Sequence, residues 1–171
     1  SRQTEWRQRF PKSLRRWRRQ PNAIMTPAFT HSMRVPFADT DLAGIVHFAN
    51  FFRYMENAEH AFFRSLGYSI HPSGSGATGL AAYEGYGWPR VSATCEYKKP
   101  LRFEQEVRVE VHVLDRQAKT IDYGFHFLVE PHDGPVAVGK MTVICVRFDE
   151  EAKRMRAVDM PEAIRSKLDS V

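Results

Sequence analysis

A single long helical run, surrounded by segments with the period of strands, limits what this chain can become. From Phe48 the apolar residues fall at Phe48, Phe51, Phe52, Met55, Ala58, Phe62 and Leu66, the i, i+3, i+4, i+7 recurrence of a helix with one buried face. Arg53, Glu56, Asn57, Glu59, His60 and Arg64 fill the gaps, and Gly67 stands where a residue in the left-handed region would end the helix. Tyr54, Ala61 and Phe63 widen the apolar stripe, so the helix is expected to be wrapped by a sheet and not laid on a surface. An acidic turn, Asp39-Thr40-Asp41, comes a few residues earlier and brings a carboxylate close to the helix start.

The segments that follow are mostly β. Val107, Val109, Val111 and Val113 alternate with Arg108, Glu110 and His112, while Val91, Ala93, Cys95 and Tyr97 take alternate positions in 88–97. Further strands are expected over 120–129, closed by Pro131-His132-Asp133-Gly134-Pro135, and over 136–148, with a turn at 98–104. Before the helix, residues 29–37 read as a first strand with Pro36 marking a bend near its end. Pro161 opens a short terminal helix over 162–168, with Ala163, Ile164 and Leu168 apolar. Antiparallel strands after one long early helix predict an α+β domain.

A length of 171 residues suits one domain with a substantial core. No apolar run approaches the roughly 18 to 20 residues of a membrane span. Cys95 and Cys145 each lie in a strand-like segment and read as free thiols in a reducing compartment, by default the cytoplasm. The net charge of +5 is uneven: residues 1–28 hold eight Arg and Lys against one Glu, so the remainder carries −2. A mildly acidic body argues against a nucleic-acid partner. Residues 1–28 form a basic extension, and 29–171 the domain. In the extension Trp6, Phe10, Leu14 and Trp17 sit among arginines, a spacing shared by an amphipathic surface helix, a nucleic-acid arm and a transit peptide. Pro11 interrupts that helix and Met25 is a candidate start, so a non-catalytic accessory ranks first. Gly74-Ser-Gly76-Ala-Thr-Gly79 satisfies G-x-G-x-x-G, but it lacks the preceding buried strand and the following helix that a dinucleotide site requires. The loop 69–87 is therefore read as irregular, with a short strand at 80–83.

The string Val35-x-Phe37-x-Asp39-x-Asp41-x-Ala43-Gly44-Ile45-Val46, the aromatic helix after it, and Val91-Ser92 through Tyr97 with a basic turn and β-hairpins resemble the hotdog-fold 4-hydroxybenzoyl-CoA thioesterase family over residues 30–150. The resemblance implies an antiparallel sheet of five or six strands around one long central helix. It also implies homodimers with a continuous sheet and active sites between subunits, association into homotetramers, an acyl-CoA substrate, and no cofactor beyond the coenzyme A of the substrate itself. It makes Asp41 the catalytic carboxylate, with backbone amides near His47 and Phe48 polarising the thioester carbonyl.

Chemistry supports that placement. Thioester hydrolysis needs a nucleophile or an activated water, and stabilisation of charge growing on the carbonyl oxygen. Open amides at a helix N-terminus supply the second, and the positive end of the helix favours a negative group beside it. Asp39 reads as a turn cap. His47 either bonds substrate or shapes the helix entry. Glu56 and Glu59 are fallback acids, since another branch of hotdog thioesterases uses a helix glutamate. Arg116 and Lys119, in a turn between strands where relatives carry phosphate contacts, are candidate partners for coenzyme A, with Lys98, Lys99 and Arg102 as alternatives. The seven histidines are scattered along the chain and there is no Cys pair at zinc spacing, so no metal is expected. A hotdog dehydratase or hydratase, and a non-catalytic acyl-CoA or RNA-binding module, are the competing readings.

Overall fold

The computed structural model describes residues 26–70 and 86–171. The basic extension up to residue 25, the glycine loop at 74–79 and the strand expected at 80–83 lie outside them. Five antiparallel strands form the main sheet in the order β1-β4-β5-β6-β3: β1 Phe29–Arg34, β3 Arg90–Tyr97, β4 Glu106–Arg116, β5 Thr120–Leu128 and β6 Ala137–Ile144. A smaller sheet joins β2 Tyr86–Gly87, β7 Val146–Asp149 and β8 Arg154–Ala157. The long helix α1 spans Asn50–Ser65, and a second helix, α2, spans Glu162–Asp169.

Alternation sets the register. Val107, Val109 and Val111 of β4 face α1 and are fully buried, as are Ile121, Tyr123, Phe125 and Phe127 of β5. Cross-strand pairs such as Val109 with Phe127 and Phe125 with Gly139 put these rows on one face. Onto that face α1 lays Phe51, Tyr54, Met55, Ala58, Phe62 and Phe63. Phe51 meets Phe127 at 5.2 Å and Tyr97 at 5.0 Å between ring centroids, and Phe62 meets Tyr123 at 6.3 Å and Phe29 at 6.2 Å. One helix thus contacts β1, β3 and β5. Each full burial of a large apolar side chain is worth roughly 1.5–3 kcal/mol, against at most about 1 for an exposed ion pair. Helix docking is therefore an apolar event.

The helix ends as Gly67 foretold. Gly67 has φ 89°, and its N–H and that of Tyr68 reach back to the carbonyls of Arg64 and Phe63, each at 3.0 Å, the paired bonds of a Schellman stop. Three expectations are revised. Phe48, placed on the buried stripe by its spacing, precedes the helix and is 61% exposed. Glu59, placed among the solvated gaps, is fully buried. The strand expected over 136–148 breaks at Cys145, because β5 begins at Thr120 and offers no further partner. There the Cys145 N–H bonds the Lys119 carbonyl at 2.7 Å and its C=O accepts from Val158 at 2.9 Å, which sends the chain into the small sheet. β8, Arg-Met-Arg-Ala, alternates over only four residues and buries neither face, so it is too short to be read as a strand.

Candidate active site at the Asp41 turn

Short-range bonds build the acidic turn. Gly44 adopts φ 70°, a conformation open to glycine at little cost, and its N–H donates to the Asp41 carbonyl at 2.9 Å while the Asp41 N–H donates to Ile45 at 2.9 Å. The Asp41 side chain accepts from the Ala43 N–H through Oδ1 at 2.8 Å, an Asx turn. Its other oxygen makes no hydrogen bond among the described residues, and the residue is exposed.

The base of this loop is fastened to the sheet and the helix. Val46 donates to the Leu101 carbonyl at 2.7 Å. Asp39 plays a different part from Asp41: its carbonyl accepts from the His47 N–H and from Asn50 Nδ2, both at 2.9 Å, and its carboxylate accepts from the Tyr54 hydroxyl at 2.7 Å. Burial, then the Asp39 contact, pushes Tyr54 well above the ordinary tyrosine value, so it stays a donor. The two acids, two residues apart, thus divide: one ties the loop to α1, the other faces outward.

At the head of α1 the amides are not equally open. His47 N–H is spent on Asp39, which removes one of the two donors expected there. The Ala49 N–H meets His47 Nδ1 at 3.3 Å, and the Asn50 N–H bonds the His47 carbonyl at 2.9 Å. Phe48 N–H has no acceptor among the described residues. It lies two residues before a 16-residue helix with no side-chain cap and no acid in its first turn, so the partial positive charge of that end is unneutralised. Tyr97 at the end of β3 donates to the Phe48 carbonyl at 3.0 Å, fixing the adjoining peptide. The His47 ring stacks on Phe48, with centroids 4.5 Å apart.

The candidate cations scatter. Arg102 Nη1 lies 3.5 Å from the Gly44 carbonyl, beside the Asp41 turn. Arg116 and Lys119 are not brought to it within one chain. Arg116 closes the far end of β4, ten residues beyond Glu106, or about 33 Å at 3.3 Å per residue, and Lys119 lies in the turn that follows. Arg116 pairs there with Asp169, and Lys119 with Asp159 at 3.9 Å. Lys98 acts electrostatically on His126, on the sheet face turned away from α1. Cys95 and Cys145 are free, and burial pushes both thiols up to about 11, leaving no thiolate to serve as nucleophile at neutral pH.

Glu56 belongs to a second cluster that the sequence reading missed. Arg90 at the start of β3 reaches Glu56 at 3.2 Å, Glu59 at 2.6 Å and His60 Nε2 at 3.2 Å. Glu59 Oε1 has no hydrogen-bond partner among the described residues, and burial raises this carboxyl from 4.5 to about 7 despite Arg90. A raised value in the folded state gives stability that is fully present below about pH 4.5 and lost as the pH climbs through about 7. The Glu59→Gln variant should therefore gain on the parent by on the order of 3 kcal/mol between pH 5 and pH 8. Urea unfolding at both pH values measures it, and parallel pH profiles for the two proteins would contradict it.

Comparison with known proteins places the chain in a family. The residue pattern of the thioesterase-like superfamily matches residues 35–168. A curated Aquifex aeolicus (strain VF5) protein bearing an esterase name is 35% identical over 112 residues, which is 64% of this chain and 77% of that protein. Among solved structures, a gentisyl-coenzyme A thioesterase is 27% identical with a TM-score of 0.66, covering 80% of this chain and 99% of its own. A 1,4-dihydroxy-2-naphthoyl-CoA thioesterase from Synechocystis superposes with a TM-score of 0.69 over 84% of this chain and 96% of its own; at 18% identity it shows the shared fold alone.

Proposed function

The chain belongs to the thioesterase-like superfamily and is a thioester hydrolase, and from that premise we propose that it cleaves an acyl- or aroyl-coenzyme A to the free acid and coenzyme A. Asp41 acts on the thioester carbon, directly as nucleophile or by deprotonating a water, and the Phe48 N–H receives the carbonyl oxygen as its charge develops. The observation carrying this reading is that an outward-facing carboxylate and an amide with no acceptor among the described residues lie on one loop leading into a long helix. Arg102, beside the same turn, is placed for a phosphate of the coenzyme.

The site is completed by a second copy of the chain. β3 is an edge strand whose outer backbone has no partner among the described residues, and an unblocked edge of this length invites pairing. It ends at Tyr97, which holds Phe48, and exposed Val91, Tyr97, Phe48 and Leu42 lie along it and the adjoining loop. Edge-to-edge pairing of two β3 strands would cover these side chains and enclose the Asp41 turn. Light scattering should return twice the chain mass at micromolar concentration; a single-chain mass would contradict the pairing. Thiol release measured over aromatic, short and long acyl-CoAs tests the activity: turnover with at least one class is expected, and none with any class would overturn the substrate assignment.

A further inference from the structure

On the face of the main sheet turned away from α1, strand register assembles a group that sequence order conceals. Glu110 and His112 lie two apart on β4, alternating with the buried valines, and Glu110 pairs across with His126 of β5. Carboxylate and imidazole donors therefore project from adjacent strands on one side. His112 Nε2 stands 3.4 Å from Glu110 Oε2, His126 Nδ1 stands 3.7 Å from that same oxygen, and one ligand atom from each of the three residues lies within 4.8 Å of the other two. The two rings meet edge to face at 5.1 Å. Gly124, paired with His112, has no side chain to occupy the space between them.

We infer that Glu110, His112 and His126 form a binding site for a divalent transition-metal ion of the zinc type, held by two imidazoles and one carboxylate. Ligand bonds of about 2.1 Å set tetrahedral donors about 3.4 Å apart, so two of the three separations need little or no change and ring rotation can close the third. Imidazole nitrogen with carboxylate oxygen suits zinc, cobalt or nickel over magnesium or calcium. Both histidines are buried, at 2% and 8% exposure, so their rings are held in place beside the carboxylate. Glu110, at 24% side-chain exposure, gives the ion a route in and room for water as a further ligand. Lys98, which acts on His126, and Lys140, across Gly124 from His112, are the nearby cations the ion must tolerate. The site lies on the face opposite α1 and does not depend on the thioesterase reading.

The test is zinc binding by the full chain after chelator treatment. Calorimetry with zinc chloride should give about one ion per chain, retained through desalting, and cobalt should give visible d–d absorption. His126→Gln and the more accessible Glu110→Gln should each weaken binding at least 10-fold while thiol release is unchanged, whereas His132→Ala, an exposed histidine elsewhere, should bind as the parent does. Absence of stoichiometric binding by the folded parent, or binding that both Gln variants leave intact, would overturn the site.

Discussion

Asp41→Asn is expected to lower thioester turnover by about 10²–10⁴-fold, the range typical of removing a group that moves a proton or attacks in the rate-limiting step. The substitution isolates charge from structure. Asn keeps the side-chain oxygen that accepts from the Ala43 N–H, so the Asx turn, the left-handed Gly44 and the bonds to Ile45 all survive. Stability should change by no more than about 0.5 kcal/mol, as for an exposed side chain away from the core. Glu56→Gln supplies the contrast. That acid is bound to Arg90 in the Glu59 cluster, apart from the turn, so its loss should leave the rate within a few fold. Thiol-release kinetics on the three proteins measure both effects; equal rates for the parent and a folded Asp41→Asn variant would remove Asp41 from the chemistry.

The second large effect is on folding. Gly139 of β6 lies directly beneath α1, and a Cβ there would sit 2.1 Å from Met55 Sδ, 3.3 Å from Met55 Cγ and 3.4 Å from Phe125 Cβ. Met55 is fully buried, so its thioether has no solvent to swing into and the helix itself must lift. Overpacking of this kind costs roughly 1–3 kcal/mol, and Gly139→Ala should lower the melting temperature by several degrees, at about 2–4 °C per kcal/mol for a chain of this size. Strand propensity alone predicts the reverse, since Ala in a strand outperforms Gly by about 0.5–1 kcal/mol. Shortening the neighbour should relieve the clash, so the combined Gly139→Ala and Met55→Ala protein should be more stable than the sum of the two single losses allows. An additive pair, or a stabilising Gly139→Ala, would contradict the close approach of α1 to β6.

Much of the fold was legible because single residues carried unambiguous physical instructions. Strict alternation from Val107 to Val113 could only be a half-buried strand, Gly67 could only be a stop, and Pro161 could open a helix but not continue one. What the sequence withheld depends on partners distant along the chain. The break at Cys145 is decided by where β5 runs out, and β8 pairs through backbone over four exposed residues, too few to reveal a strand. At the site, the motif located the turn but not the division of labour within it. That Asp39 is tied to Tyr54 follows from how the buried face of α1 meets the loop; a tyrosine in an apolar stripe, whose hydroxyl needs a partner, was the available signal. His47 was expected to lend an amide that the Asp39 carbonyl already occupies. Arg116 and Lys119 lie about one β-strand length from the Asp41 turn within one chain, so any part in phosphate binding depends on a second copy, which no local pattern encodes. Glu110, His112 and His126 are scattered in sequence and meet only through the β4–β5 register.

The proposed chemistry requires one carbonyl group to lie between Asp41 and the Phe48 N–H. A crystal structure of the protein with a non-hydrolysable acyl-CoA analogue tests it most directly. The predicted result is an analogue carbonyl oxygen about 3 Å from the Phe48 nitrogen, its carbon facing the Asp41 carboxylate, a phosphate at Arg102, and a second copy of the chain across β3. An analogue bound with its carbonyl elsewhere, such as against Glu59 and Arg90, with Asp41 facing bulk water, would contradict it.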